Sequence, residues 1–258
     1  MITSSQNPKL KLARSLMGRP RERREANAFV AEGVRLLEEA VTAGWKFHFV
    51  LYSDGLSERG QDLLKVLIAH RIDVEEVAGD LLQKLSDTET PQGILAVLEL
   101  ASLPLPAAPN FVLIPDQIRD PGNLGTLFRT ATATGVQAIL LPPDTTDLFA
   151  PKVVRAGMGA HFRIPIKEAA WDEIRTYTSG LEVFLADMHG QPCWEADLKK
   201  PLTLIVGSEA EGASTDGRKL ASHKVTIPMA AKVESLNAGV AGSVLMFEVV
   251  RQRGQHQA

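Results

Sequence analysis

A single cysteine, Cys193, stands in this chain of 258 residues, so no internal disulfide can form and the fold must hold without one. The six histidines are scattered, with no pair at a metal-ligand spacing such as His-x-x-x-His, so a metal cofactor is not expected. No apolar run reaches the roughly 18 to 20 residues that a membrane helix needs. The beginning, Met1-Ile-Thr-Ser-Ser-Gln-Asn-Pro8, lacks the apolar stretch of a signal peptide. A cytoplasmic protein is therefore expected. Internal repeats and low-complexity tracts are missing as well. What is present in quantity is apolar side chain, 45% of the residues, enough to bury a core in one large domain or two modest ones.

A net charge of -3 argues against a uniformly basic nucleic-acid binder. The charge is unevenly spread, however. Residues 1–24 hold Lys9, Lys11, Arg14, Arg19, Arg21, Arg23 and Arg24 against Glu22, which makes this segment +6 and leaves -9 for the remainder. Such asymmetry fits a basic arm that meets phosphates. The alternative is a solvated helix end with no partner.

Apolar periodicity gives an alternating pattern. A helix is expected over residues 32–48 and a strand over 47–52. A second amphipathic stretch covers 61–70, and strands are expected at 71–77 and from Gly93 onward. Pro104, Pro106 and Pro109 lie within six residues, which forbids a regular helix and suggests an extended linker. The expected domains are 1–105 and 106–258. In the second, strands are expected at 111–115, 136–141, 162–166, 183–186, 202–206 and 225–227. Helices are expected at 124–134, 150–158, 168–178, 214–222 and 237–252. That alternation predicts an α/β fold with a parallel sheet and helices on both faces.

Three segments carry chemistry. Asp116-Gln-Ile-Arg119-Asp-Pro121-Gly122-Asn123 follows the first strand of the second domain, at the carboxyl edge where open α/β sheets hold ligands. Gly125 and Arg129, four residues apart on the following helix, share a face with room for a ribose or phosphate beside the guanidinium. Gly207-Ser-Glu209-Ala-Glu211-Gly212 has the glycine spacing of a phosphate loop. It continues with Ala213 and Ser214 where a nucleotide site needs Lys, and its two carboxylates repel a polyphosphate. A ligand with cationic groups, such as S-adenosylmethionine, suits it better. Gly157-Met-Gly159 has two glycines of a dinucleotide fingerprint but follows a helix pattern, which gives nicotinamide binding little support. The third segment, Ile227-Pro-Met-Ala-Ala-Lys-Val-Glu-Ser235-Leu-Asn237, runs from a loop into a helix whose start is crowded with Ala238, Gly239, Ala241, Gly242 and Ser243. Each helical glycine costs about 1 kcal/mol relative to alanine, and close packing against a backbone or ligand would offset that.

In order, Asn123-x-Gly125-x-x-x-Arg129, the 207–212 loop and Ser235-Leu-Asn237 resemble the three motifs of the SpoU (TrmH) family of RNA ribose 2'-O-methyltransferases in the SPOUT superfamily. The N-terminal part is similar to the L30e-like substrate-binding domain of several members. Ser4 to Lys11, the Arg-rich stretch, Phe29-Val-Ala-Glu-Gly33 and Thr90-Pro-Gln-Gly-Ile94 carry that second resemblance. It implies an α/β SPOUT domain with a deep trefoil knot and a homodimer through that domain's first and last helices. It also implies a S-adenosylmethionine pocket formed by Gly207, Ile227, Leu236 and Asn237. Carried over by motif position, Arg129, Asn123, Glu209, Ser235 and Asn237 form the catalytic set, with no metal.

Arg129 is implied as the central residue. An arginine with a pKa above about 12 is a poor base, so it would grip the neighbouring phosphate and stabilise the developing alkoxide, with Glu209 orienting it. The implied substrate is 23S rRNA, in the course of rRNA processing. A tRNA acceptor, or an inactive RNA-binding homologue, is the alternative. Gly239 departs from the Ser that members often carry two residues after the motif Asn.

Overall fold

The computed structural model describes residues 1–86, 88, 90–230 and 235–254. Two compact units are present. The first comprises Met1–Ala101 with Asp147–Phe162, and the second Ser102–Thr146 with Arg163–Ala258. The proline-rich segment thus opens the second unit. Residues 147–162, which a single boundary near 106 assigns to the second domain, pack with the first.

Elements are numbered in chain order. The first unit is built on a four-stranded sheet of β1 (Ala28–Glu32), β4 (Ile94–Glu99), β2 (Phe47–Tyr52) and β3 (Val74–Glu76), in that spatial order. β4 runs antiparallel to both neighbours, and β2 and β3 are parallel. Helices α1 (Pro8–Met17), α2 (Pro20–Ala26), α3 (Val34–Thr42), α4 (Glu58–Ala69) and α5 (Gly79–Gln83) surround it, with α7 (Pro151–Gly157) from the returning segment. α1 starts where Asn7 accepts the Lys9 N–H and Pro8 fills the first helical position. Its Leu10, Ala13 and Leu16 are buried in one cluster with Val30, Phe49, Leu51 and Val97. Strand alternation sends Phe29 to the opposite face of β1. There its ring meets Phe149 at 4.7 Å and Phe162 at 6.4 Å.

Part of the basic segment is structural. Arg23 is only 2% exposed. It donates to the carbonyls of Leu16 and Gly18 and, through Nε and Nη2, to Asp147 Oδ2. Lys9 pairs with Asp73 and Glu75. Lys11, Arg14 and Arg19 remain exposed.

The second unit is a six-stranded sheet in the order β10 (His223–Thr226), β8 (Glu182–Pro192), β9 (Leu202–Val206), β5 (Phe111–Pro115), β6 (Ala138–Leu141) and β7 (Ile166–Glu168), every pair parallel. β5, β6 and β9 are buried along their whole length, as interior strands covered on both faces are. Its helices are α6 (Pro121–Ala133), α8 (Trp171–Tyr177), α9 (Thr215–Leu220) and α10 (Ala238–Arg253).

Two expectations are corrected. The helix placed at 32–48 starts only at Val34, because β1 runs through Glu32 and Gly33 turns the chain at φ +104°. The strand placed at 162–166 is a 3-10 turn over Ala160–Phe162 followed by β7, because Phe162 is spent on the ring cluster of the first unit. Among the described residues no helix is long and apolar enough to cross a membrane, and no group of three His, Cys, Asp or Glu side chains could hold a metal.

Candidate active site

β5 and β9 are in register with Pro115 opposite Val206, so the segments leaving their carboxyl ends start at the same level. Residues 116–120 and 207–214 therefore come together at the edge where parallel sheets collect ligands. The helix after the first segment is capped by Asp120, whose carboxylate accepts the Asn123 N–H at 2.8 Å. Asn123 thus lies inside the first turn of α6, and its side chain reaches outward instead of capping.

That side chain joins the three motifs. Asn123 Nδ2 donates to Glu209 Oε1, and Asn123 Oδ1 accepts from Asn237 Nδ2 at 2.8 Å. Asn237 caps α10, its Oδ1 accepting from the Val240 N–H at 3.2 Å. Glu209 Oε1 also accepts the Ala238 N–H at 3.0 Å and lies 3.4 Å from Asn237 Nδ2. A carboxylate at the positive end of a sixteen-residue helix is favourably placed, and it satisfies a donor that the helix itself leaves open.

α10 comes close enough because its small residues face inward. A Cβ on Gly242 would lie 2.3 Å from Leu127 of α6 and 3.2 Å from Val206 of β9, and one on Gly239 would lie 3.3 Å from Thr126. Ser243 and Thr130 share a hydroxyl hydrogen bond of 2.8 Å between the same two helices. The small-residue face is therefore spent on α6 and β9 inside the chain. Val240 and Phe247 point outward instead, 48% and 53% exposed.

Beside this network lies a cavity of about 410 Å³, within the range of small-molecule and cofactor sites. Its walls come from the middle of β8, the 207–213 loop, Val225 and Thr226 of β10 with Ile227 after it, and Ala238, Ala241 and Leu245 of α10. Gly207 is required by close approach, since a Cβ there would lie 2.3 Å from the backbone of both Gly212 and Ala213. The loop folds back in this way because Ser208 and Gly212 exchange backbone hydrogen bonds of 3.0 Å. Asp187 stands in the wall with Lys224 Nζ at 3.0 Å. Burial pushes its carboxyl up, but the His189 N–H and the Lys224 ammonium outweigh that and hold it below the usual aspartate value.

Of the residues singled out from the sequence, Asn123, Glu209 and Asn237 meet directly, and Gly207, Glu209, Ile227, Ser235 and Leu236 line the cavity. Asn123 and Asn237 belong to the network at its side and not to its lining. Arg129 lies exposed on α6 and is not part of the lining, and Glu209 is engaged with the two asparagines and the start of α10. The loop expected ahead of Ser235 includes residues 231–234, which are outside the described residues. Sequence reasoning missed the second half of β8. Asp187 and Met188 enter the cavity because β8 runs on to Pro192, and no periodic signal marks that extension.

The cavity suits S-adenosylmethionine on the chemistry of its walls. Backbone of a folded-back loop and apolar Ile227, Leu236 and Leu245 could hold an adenosyl group, and the carboxylate of Glu209, which meets only neutral donors among the described residues, favours a cationic ligand.

Comparison with known proteins gives the same assignment. The SpoU rRNA methylase family model matches residues 110–247, and a MRM3-like substrate binding domain matches residues 7–96. The chain is 34% identical to an uncharacterized tRNA/rRNA methyltransferase of Synechocystis sp. over 98% of its own length and 94% of that protein. It is 31% identical to the 23S rRNA (guanosine(2553)-2'-O)-methyltransferase RlmP of Bacillus subtilis, over 96% and 98% of the two chains. The crystal structure of the SpoU methyltransferase AviRb from Streptomyces viridochromogenes, in complex with AdoMet, superposes with a TM-score of 0.86 at 30% identity, covering 98% of this chain and all of that one. Three motifs far apart in sequence thus meet beside one cavity, in a chain matched over more than half its length by one family model: it belongs to the SpoU rRNA methylase family.

Proposed function

We propose that this protein transfers the methyl group of S-adenosylmethionine to a ribose 2'-hydroxyl of 23S rRNA. The observation that carries the proposal is the hydrogen-bonded set Asn123, Glu209 and Asn237 beside a cavity lined by Gly207, Ile227, Ser235 and Leu236. The relative RlmP supports the rRNA ribose as acceptor, and AviRb supports the cofactor. When bound, the cofactor supplies an electrophilic methyl group on a sulfonium.

The chain's own residues have the remaining tasks. Gly207, Ile227 and Leu236 hold the cofactor, and Asn123 and Asn237 orient ribose or cofactor, locked by Glu209. Arg129 offers a planar fork of donors, so its part is to grip the RNA phosphate and stabilise the developing alkoxide. Its exposure on α6 suits a group that meets substrate instead of cofactor.

The protein works as a homodimer through α6 and α10. In support, α10 shows Val240, Val244 and Phe247 at helical spacing on its outer face, two of them about half exposed. Residues 1–105 serve as the L30e-like substrate-binding domain, with Lys11, Arg14 and Arg19 meeting phosphates. Residues 106–258 form the methyltransferase domain with the family's trefoil knot. A cytoplasmic location goes with a ribosomal substrate.

Incubation with methyl-labelled S-adenosylmethionine and separate rRNA and tRNA pools, followed by mapping of ribose methylation, tests this. Label at a ribose of 23S rRNA supports the proposal, and label confined to tRNA selects the tRNA alternative. RNA binding without transfer selects an inactive homologue. Methyl groups found only on bases refute the acceptor.

A further inference from the structure

Asp116, the first residue after β5, is completely buried. Its backbone N–H donates to the Val206 carbonyl at 2.8 Å, which fixes it beside the point where the 207–214 loop begins. Its carboxylate holds the other end of that loop, with Oδ2 accepting the Ser214 N–H at 2.7 Å. Oδ1 has no hydrogen-bond partner among the described residues. The carboxylate is tightly enclosed: a Cβ on Gly217 would lie 2.4 Å from Oδ2, with Trp171 of α8 3.3 Å from the same position. One buried residue is thus tied to both ends of the loop that carries Glu209 and lines the cavity.

A desolvated, half-satisfied carboxylate is a poor way to stabilise a fold. Burial raises its pKa, opposed by the hydrogen bonds to Ser214; Asp216 of α9 adds to the rise and Arg218 of the same helix opposes it. Trp171 and Val206, from the other elements packed against it, bring no charge. Arg218 in turn clamps the loop from outside, donating to the carbonyls of Ala213 and Glu211 at 2.8 Å.

We infer that Asp116 is a positioning residue, whose buried carboxylate sets the 207–214 loop in the shape that binds S-adenosylmethionine and holds Glu209 against Asn123 and Asn237. The inference rests on the methyl-transfer reading of the cavity. A hydrogen bond to a charged acceptor is about twice as strong as one to a neutral amide, so the carboxylate holds the loop more firmly than its isostere can.

The test is calorimetric titration of the full chain with S-adenosylmethionine between about pH 4 and 8, for the wild type, Asp116→Asn and Asp116→Ala, beside thermal melting and steady-state kinetics. Asp116→Asn should melt at or above the wild-type temperature at neutral pH, since it removes a buried charge, yet bind the cofactor about fivefold more weakly. Asp116→Ala should bind more than about tenfold more weakly. Wild-type affinity should fall with pH at values above those of an ordinary aspartate, and Asp116→Asn should lack that limb. Equal affinity of Asp116→Asn and wild type at every pH overturns the inference, as does a loss of affinity that only follows a loss of melting temperature. Should Asp116→Asn fail to fold, a wild-type affinity independent of pH overturns it. A wild type that binds no S-adenosylmethionine at any pH overturns the methyl-transfer reading itself, and this inference with it.

Discussion

Replacing Gly242 tests whether the spacing of α6 and α10 controls the site. A Cβ at this position would lie 2.3 Å from Leu127 Cδ2 and 3.2 Å from Val206 Cγ2. Carbon atoms in contact rest at about 3.8 Å, so Leu127 would have to retreat by roughly 1.5 Å. It has nowhere to go, since Leu127 is fully buried and Val206 is 2% exposed. Overpacking of this kind costs about 1–3 kcal/mol, and removing a helical glycine returns about 1 kcal/mol, so Gly242→Ala should destabilise by roughly 0–2 kcal/mol. Gly242→Val adds two methyls to the same overlap and should cost more than about 3 kcal/mol. Moving α10 outward also separates Asn237 from Asn123, now joined by a 2.8 Å hydrogen bond. Urea denaturation should rank wild type, alanine and valine in that order, and titration with S-adenosylmethionine should show the valine variant binding at least about tenfold more weakly. A valine variant as stable as wild type, with unchanged cofactor affinity, would refute the packing argument.

Three further outcomes follow from the first unit. His161 is 4% exposed with Nε2 2.7 Å from the Leu148 carbonyl, and burial holds its pKa down at about 4 against an ordinary 6.5. The native state therefore resists the proton that the unfolded chain takes up. Stability is whole above about pH 6.5 and falls by about 3 kcal/mol as the pH drops to about 4, a loss that His161→Phe should lack when urea midpoints are compared. Arg23→Met strands Asp147 and two carbonyls and should cost about 3–5 kcal/mol in the same assay. Arg19→Ala, by contrast, should change stability by less than about 0.5 kcal/mol while weakening RNA binding and its salt dependence.

The strands β2, β5 and β9 were legible to the residue, because each is a compact apolar run with its boundaries marked in the sequence. β1 was hidden because four buried residues in a row give no alternation, and the expected helix took its last residue, Glu32. The basic segment looked like a surface arm, yet Arg23 turns inward; a guanidinium that ties together three acceptors has the same letter as one that waits for a phosphate. Similarly, Phe162 is apolar in either core, and only the fold decides which one takes it.

In the site, the motif pattern singled out Asn123, Glu209 and Asn237, but not their roles toward one another. Glu209 was expected to orient Arg129 and instead receives both asparagines and the N–H of Ala238. That difference stems from the cap: Asp120 accepts the Asn123 N–H, which leaves the Asn123 side chain to cross to the second loop. The small residues of α10 did signal close packing, and the partner is α6 of the same chain.

The most direct measurement is methyl transfer by the wild type and by Arg129→Lys, with labelled S-adenosylmethionine and 23S rRNA, read as mapped ribose methylation together with cofactor affinity. Arg129 lies outside the cofactor cavity, so affinity should hold within about twofold, while loss of the planar fork beside phosphate and alkoxide should lower kcat by about a hundredfold or more. Label at a ribose 2'-oxygen with that split is the predicted result. Near-normal transfer by Arg129→Lys, or label confined to bases, would contradict it.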